Sequence, residues 1–305
     1  MDIFIAGATG VVGRRAVPAL IEGGHRITAA GRDREKLEAL ERLGARTVAL
    51  DLFDPDAVHR AVAGHQVVIN LATSIPTLAR TFLRRAWRLN DRVRREASAN
   101  LVEAALASGA QRYVQESFAP TYPDCGDEWI DERTPIQPVA YNRTVLDAEA
   151  SAGRFCQAGR VGVVLRFASF YGPDSDFIQA MFQLTRHGWL PVFGAPGGFF
   201  SSVAHDDAAT AVVAALDLPA GAYNVSDDLP LRRCEVAGAF GAALGMAAPR
   251  LPPRWMGKLG GSVGEALARS QRICNHKLKA ASNWRPKYPS LREGLPAALE
   301  KAREN

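Results

Sequence analysis

Near its start the chain runs from a short apolar strand, Ile3-Phe4-Ile5-Ala6, into a turn with glycines at 7, 10 and 13. A helical pattern follows at once. A strand that turns through glycines onto a helix N-terminus presents backbone N–H groups and the positive end of the helix dipole to a pyrophosphate. The glycines permit a tight turn and a close approach of backbone to phosphate. We therefore predict a dinucleotide-binding turn, with an ordinary strand-to-helix turn as the weaker alternative.

Composition and charge are those of an enzyme-sized globular protein. Of the 305 residues, 47% are hydrophobic and 23% are charged, which is enough apolar surface to build a substantial core. The net charge of +5 favours anionic ligands, but no long basic run interleaved with aromatic residues indicates nucleic acid. The four cysteines are scattered, which predicts neither a zinc site nor a disulfide framework. We expect no metal, no membrane span, no leader peptide and a cytoplasmic location.

Strand and helix patterns alternate through the first half of the chain. This alternation predicts an α/β fold: a doubly wound parallel sheet with helices on both faces. We predict helices near 11–22 and over a long stretch at 77–108, and a further helix that begins near Tyr141. Residues 1–173 are expected to form the nucleotide-binding domain, to which 203–225 returns. The Pro- and Gly-rich segment 174–202 and residues 226–305 are expected to form a smaller, discontinuous lobe that binds the substrate.

Polar and basic residues follow the predicted strands, where ligands of parallel sheets bind. Arg32 comes after the second strand, at the place where an acidic residue would bind the ribose 2′-hydroxyl of NAD, and its guanidinium could instead pair with the 2′-phosphate of NADP. The alternative is a solvated helix start capped by Asp33. Asp51 follows the third strand, either as an adenine ligand or as a turn residue. The backbone of 70–73, after the fourth strand, is expected to pass beneath the cofactor.

Taken together, these segments resemble the extended short-chain dehydrogenase/reductases, often called NAD(P)-dependent epimerases/dehydratases. The resemblance covers essentially the whole chain. The glycine turn is one residue longer than the most familiar Rossmann fingerprint. The other matching segments are Asp51-Leu52, Asn70-Leu71-Ala72, Asn100 to Ala105, Arg112-Tyr113-Val114 to Ser117, Tyr141, Leu165-Arg166-Phe167 to Pro173, Val203 to Asp207 and Tyr223-Asn224-Val225. The resemblance implies a Rossmann-type sheet and a nicotinamide cofactor, for which we expect NADP rather than NAD. The residues expected to bind it are Gly7, Thr9, Gly10, Val11, Val12, Gly13, Arg32, Asp51, Leu52, Leu71, Ala72 and Thr73.

The same resemblance implies a catalytic Tyr, a Lys four residues later that lowers the pKa of the Tyr, and a Ser or Thr after the fifth strand. Tyr141 matches the Tyr, but Val145 stands at the Lys position and cannot supply a charge. The hydroxyl position falls on Phe118, with Ser117 beside it, and Arg94 replaces a usual Asn. We predict Tyr141 as the proton donor or acceptor and Ser117 as the group that orients the reacting oxygen. A buried, purely structural Tyr141 is the alternative.

The residues expected to contact the substrate give less specific predictions than the cofactor-binding segments do. Phe199 and Phe200 stand near the place where nucleotide-sugar enzymes carry an arginine, which favours an apolar or aromatic-lined space with contributions from Trp129, Trp189 and Phe193. Arg166 is expected to bind substrate or to pair with an acid. His205 is expected to pack against the end of the sheet.

The sequence therefore predicts an NAD(P)-binding oxidoreductase or epimerase-like enzyme acting at a carbonyl or carbinol carbon of a small organic molecule. The alternatives are a catalytically degenerate NADP(H)-binding sensor and a nucleotide-sugar epimerase or dehydratase. By analogy with relatives, the 77–108 stretch is a candidate homodimer contact.

Overall fold

The computed structural model describes residues 1–77 and 80–304. The strands, in chain order, are β1 (Asp2–Ala6), β2 (Arg26–Gly31), β3 (Arg46–Ala49), β4 (Val67–Asn70), β5 (Arg112–Phe118), β6 (Trp129–Ile130), β7 (Val161–Phe167), β8 (Ser169–Tyr171), β9 (Phe199–Phe200), β10 (Ser202–Ala204), β11 (Gly221–Val225), β12 (Leu231–Arg232) and β13 (Arg272–Ile273). Seven of the described strands form one parallel sheet in the order β11-β7-β5-β4-β1-β2-β3. The predicted α/β, Rossmann-type fold is confirmed.

Helices cover both faces of this sheet. They are α1 (Gly13–Glu22), α2 (Arg34–Arg42), α3 (Pro55–Val62), α4 (Arg88–Arg92), α5 (Ser98–Ala107), α6 (Val145–Gln157), α7 (Asp176–Arg186), α8 (His205–Ala214), α9 (Arg233–Ala243), α10 (Met256–Leu259), α11 (Gly261–Ala268), α12 (His276–Ala281) and α13 (Leu291–Glu304). The helices α1 and α8 pack on one face of the sheet, and α3, α5 and α6 pack on the other. Strand order reverses between β1 and β4, which opens a crevice at the carboxyl ends of the strands.

Both core layers are apolar because the parallel strands are buried on their two faces. Ile3 and Ile5 of β1 point into the layer beneath α1, whereas Phe4 points into the layer beneath α3 and α5. A third apolar cluster joins α7, α9 and α13 in the C-terminal part of the chain. Among the described residues, no helix combines the length and apolar character that crossing a bilayer requires.

The prediction of one continuous helix over 77–108 is wrong. Residues 78 and 79 lie outside the described residues. Leu83 is extended, a 3₁₀ turn spans Arg84–Trp87, and α4 is joined to α5 by a π-helical turn at Val93–Ala97. The indole N–H of Trp87 donates to the Thr81 carbonyl at 2.7 Å, which holds the preceding residues in a loop.

The helix predicted to begin near Tyr141 begins four residues later, at Val145. Tyr141 lies in the preceding turn. This turn is fixed by the Asn142 side chain, whose Oδ1 accepts from the Val139 N–H at 2.8 Å, an alternative to a helical backbone bond. Tyr141 and Val145 are therefore not neighbours on one face of a regular helix.

Candidate active site

The glycine turn lies directly against the backbone that follows β4. Gly7 has φ = 75°, and a Cβ built there would come within 2.6 Å of the Ala72 nitrogen and the Leu71 carbonyl carbon. A Cβ on Gly13 would come within 2.5 Å of the Gly7 oxygen. Only glycine fits at either position, so the turn, the start of α1 and the end of β4 form one tight unit.

A cleft of about 390 Å³ opens above this unit. Nine of the predicted cofactor ligands line it: Gly7, Thr9, Gly10, Arg32, Asp51, Leu52, Leu71, Ala72 and Thr73. The other three, Val11, Val12 and Gly13, do not line it. They form the last part of the turn and the start of α1, and Val12 is buried. Sequence reasoning missed Phe53 and Val93, which also line the cleft, because neither belongs to a motif.

The loop beneath the cleft is fixed from inside the protein by Asn70. Its Oδ1 accepts from the Ala72 N–H at 3.1 Å, and its Nδ2 donates to Gln115 and Ser98. The loop after β3 is held in a similar way, because Asn100 of α5 donates to the Leu52 carbonyl at 2.9 Å. Buried amide side chains therefore give the floor of the cleft a defined shape.

Two basic and two acidic side chains line the cleft: Arg32, Lys36, Asp33 and Asp51. Arg32 is exposed at its edge, and Asp33 caps α2 by accepting from the Lys36 N–H at 3.3 Å. The Lys36 ammonium lies 3.0 Å from the Asp33 carboxylate and lowers its pKa. Asp51 uses one oxygen to accept from the Phe53 N–H at 3.0 Å, as a turn residue does.

These residues fit a nicotinamide dinucleotide. The first turn of α1 contains no acidic residue and has no side-chain cap, so the positive end of its dipole is open to a pyrophosphate, while the N–H groups of Arg14 and Arg15 already donate to backbone carbonyls. The Gly7 cradle brings backbone close to it, and the basic edge at Arg32 lies where β2 ends. When bound, such a cofactor supplies or accepts a hydride.

Tyr141 is 5% exposed and packs edge-on against Trp87, with ring centroids 4.7 Å apart. Phe118, at the family's hydroxyl position, belongs to the same apolar cluster. Burial raises the pKa of Tyr141 to about 12, while the charge of Arg94, a hydrogen bond with Asn142 and the charge of Arg269 act to lower it. The phenol therefore carries its proton at neutral pH.

Ser117 lies at the end of β5 and takes part in a different set of contacts. Its hydroxyl donates to the Glu149 carboxylate at 2.6 Å. Glu149 also accepts two hydrogen bonds from Arg166, at 2.8 and 2.7 Å, and Arg166 donates a third to the Tyr122 hydroxyl at 2.8 Å. Arg166 is thus paired with an acid, and the Ser117 proton is engaged inside the protein.

Arg94 lies on the π-helical turn and is 2% exposed. Its Nη2 is 3.7 Å from Oε1 of Glu116, a residue that is 7% exposed on β5. Burial raises the pKa of Glu116, and the nearby Arg94 opposes that rise. Sequence reasoning did not find this pair, because only the packing of the π turn against the sheet brings the two residues together.

A second, smaller cavity of about 80 Å³ lies in the C-terminal part of the chain beside β8. Its walls are apolar and include Phe170, Phe177, Phe193, Phe200 and Phe240. The expected contributions of Phe193 and Phe200 are present, whereas Phe199, Trp129 and Trp189 do not line it. Trp129 instead stacks beneath the Arg272 guanidinium, 4.0 Å from the ring centroid.

His205 is the first residue of α8 and is buried as expected, with its ring 5.8 Å from that of Phe170. Its Nδ1 lies 2.9 Å from Asp174. Within the part of the chain that the structure describes, no group of three or more His, Cys, Asp and Glu side chains is placed to hold a metal ion.

The model of the NAD dependent epimerase/dehydratase family matches residues 3–226, and the chain belongs to this family. A 3-diazoavenalumate denitrifying reductase from a Streptomyces species is 32% identical over 97% of this chain and 99% of its own length. A 2-alkyl-3-oxoalkanoate reductase from Shewanella oneidensis is 27% identical over 89% of this chain and 73% of its own. The fold matches that of a UDP-glucose 4-epimerase from Thermus thermophilus solved with NAD, with a TM-score of 0.79, 23% identity and 99% of each chain covered.

Proposed function

We propose that this protein is an NADP(H)-dependent reductase acting at the carbonyl carbon of a small, largely apolar organic substrate, with Tyr141 as the proton donor. The observation that carries the proposal is the cleft, where the glycine cradle, the uncapped start of α1 and the exposed Arg32 lie together. The two reductases described above support the direction of the reaction. The phenylalanine-lined cavity supports an apolar substrate group.

In this mechanism the glycine turn and Arg32 would hold a reduced nicotinamide cofactor, which would supply the hydride for the carbonyl carbon. Tyr141 gives its Oη proton to the carbonyl oxygen, and its high pKa keeps that proton in place until charge develops on the oxygen. Ser117 would orient the oxygen only after its hydrogen bond to Glu149 is released. Apolar contacts around Tyr141 exclude water from the proton transfer.

The first experiment measures cofactor preference. We expect NADPH to bind at least about tenfold more tightly than NADH, a difference of about 1.4 kcal/mol, when the fluorescence of the reduced nicotinamide is titrated. Arg32→Asp should remove this preference, since it replaces the phosphate partner with a like charge. Arg34→Asp is the matched control, because Arg34 is exposed on the same loop-helix junction but does not line the cleft.

The second experiment tests turnover on a panel of aryl and alkyl ketones and aldehydes, with UDP-glucose as the nucleotide-sugar comparison. We expect reduction of the apolar carbonyls, and Tyr141→Phe should slow it by about 10²- to 10⁴-fold. Failure to bind either cofactor would overturn the proposal. Epimerisation of the nucleotide sugar without carbonyl reduction would replace it with the family's sugar chemistry.

A sensor that binds NADP(H) without turnover is the second candidate, and Val145 favours it. This residue, at the position of the family's lysine, is fully buried and carries no charge. Tight NADPH binding with no reduction of any carbonyl on the panel would select this candidate. We also propose a homodimer through the 77–108 stretch, and light scattering on the purified protein tests it.

A further inference from the structure

The Arg94–Glu116 pair is incompletely satisfied for a buried ion pair. Its closest approach, 3.7 Å, is longer than a hydrogen bond. Arg94 Nε and Glu116 Oε2 have no hydrogen-bond partner among the described residues. Removing two charges from water is costly unless close contacts compensate, and here they do so poorly. The pair is thus a weak source of stability, and its retention in the core calls for another use.

Arg94 lies on the side of its helix that packs against the Tyr141 turn. Trp87, at the start of α4, contacts the Tyr141 ring, and Asp91, one turn later, accepts a 2.9 Å hydrogen bond from Thr144. Arg94 follows about one further turn along, where the helix widens into its π turn. Such turns place an extra residue where a regular helix has none, and they are frequent at functional sites.

We infer that Arg94 supplies the positive charge that stabilises the Tyr141 phenolate, in place of the lysine that the family carries at position 145. This inference rests on the proposed function. Arg94 acts through Tyr141 and is therefore a positioning residue. The neighbouring Val93 lines the cofactor cleft, so the π turn joins the cleft to the proton donor.

The Oη–H bond of Tyr141 breaks and a new O–H bond forms on the substrate oxygen, while the hydride for the carbon would come from a nicotinamide cofactor held in the cleft. The negative charge left on Oη is favoured by the charge of Arg94, which acts to lower the pKa of Tyr141, and in a buried site this attraction is stronger than in water. A proton from solvent water then restores the phenol.

The other charged groups around Tyr141 do not substitute for Arg94. Arg269, after α11, is the second cation that favours the phenolate, but its guanidinium donates to the carbonyls of Tyr122 and Gln137 and to Glu265. Glu116 of β5 opposes the phenolate. Arg143, in the Tyr141 turn itself, is exposed. Asn142 hydrogen-bonds with Tyr141 but carries no charge, and the ring packs within an apolar cluster.

The test replaces Tyr141 with 3,5-difluorotyrosine, whose phenol ionises near neutral pH when free in water. Its ionisation is followed by ultraviolet absorbance in the protein without cofactor or substrate. Arg94→Gln should raise the midpoint by about one pH unit or more, because the phenolate loses the cation that favours it most. Arg94→Lys should restore most of the shift. Arg95→Gln is the matched control, since Arg95 is exposed on the same π turn and pairs with Asp147.

A second variant is needed because Arg94→Gln leaves the buried Glu116 carboxylate without its partner charge, which could unfold the protein. Arg94→Gln/Glu116→Gln removes both charges and keeps the hydrogen-bonding groups, and we expect its midpoint to stay above that of the parent. An unchanged midpoint in a folded Arg94 variant would overturn the inference. The absorbance measurement needs no turnover. A protein that binds no cofactor but shows the higher midpoint in Arg94→Gln would overturn the proposed function and leave this inference standing.

Discussion

At the scale of single residues, Gly7 carries the tightest backbone constraint of the cleft. We expect Gly7→Ala to destabilise the fold by about 2–4 kcal/mol, the sum of a strained positive φ and a clash with the backbone after β4. Cofactor binding should fall with it. Urea unfolding, followed by circular dichroism, measures the stability change.

The chain provides a matched control at Gly24. Its φ of 78° is nearly that of Gly7, but a Cβ there would meet nothing within 4 Å. Gly24→Ala should therefore show the strain alone, about 1–2 kcal/mol. Equal losses at the two positions would mean that the contact with residues 71–72 adds nothing.

The glycine turn could be predicted from sequence because its residues are adjacent and each has a defined physical role. The partners of Ser117 and Arg94 could not be predicted in the same way. Ser117 meets Glu149 across 32 residues, and Arg94 meets Glu116 only where the helix changes its pitch. Spacing in the sequence does not contain that geometry.

At the scale of elements, the Arg166–Glu149 pair joins β7 to α6 with side chains that are 9% and 14% exposed. Glu149→Leu should cost about 3–5 kcal/mol, because it leaves the Arg166 charge buried without its acid. Arg166→Met/Glu149→Leu should be less destabilising than the sum of the single changes. Denaturant unfolding of the three variants measures this coupling. Strict additivity would show that the two side chains do not depend on each other.

Val145, the first residue of α6, tests whether the missing lysine can be put back. Val145→Lys should destabilise the protein by several kcal/mol, because the ammonium would enter a fully buried site on a helix that packs against the π turn carrying Arg94. Val145→Met is the uncharged control of similar length. Thermal unfolding compares them, and equal melting temperatures would mean that the lysine finds a partner or reaches solvent.

At the scale of the whole molecule, the layers of the sheet were predictable because strand and helix patterns alternate along the chain. For the phenylalanine-lined cavity, only the apolar and aromatic nature of the lining was predictable from the sequence. Its walls come from β8, α7, α9 and the loop that contains Phe193, so its shape depends on how distant segments pack. The aromatic residues Phe193 and Trp189 looked equivalent in sequence, and only packing separates them.

The molecule as a whole should lose stability in acid through His205. This ring is 3% exposed, and burial, with the charges of Arg15 and Arg14, lowers its pKa to about 3. Its neighbour Asp174 is already paired with Arg15 at 2.9 Å and with Arg14. In the unfolded chain the pKa of histidine is about 6.5. Between these values the unfolded state binds the extra proton, so the free energy of unfolding falls as the pH falls.

The contribution of His205 to this fall should be absent above about pH 7.5. Between pH 6 and pH 4, the free energy of unfolding should fall by about 1.4 kcal/mol for each pH unit. His205→Asn removes the titrating ring and should flatten the profile by up to that slope, whereas His187→Asn, at an exposed position, should leave it unchanged. Urea midpoints measured across this range test the difference. Parallel profiles for the parent and His205→Asn would mean that His205 takes up its proton in the folded state as readily as in the unfolded one.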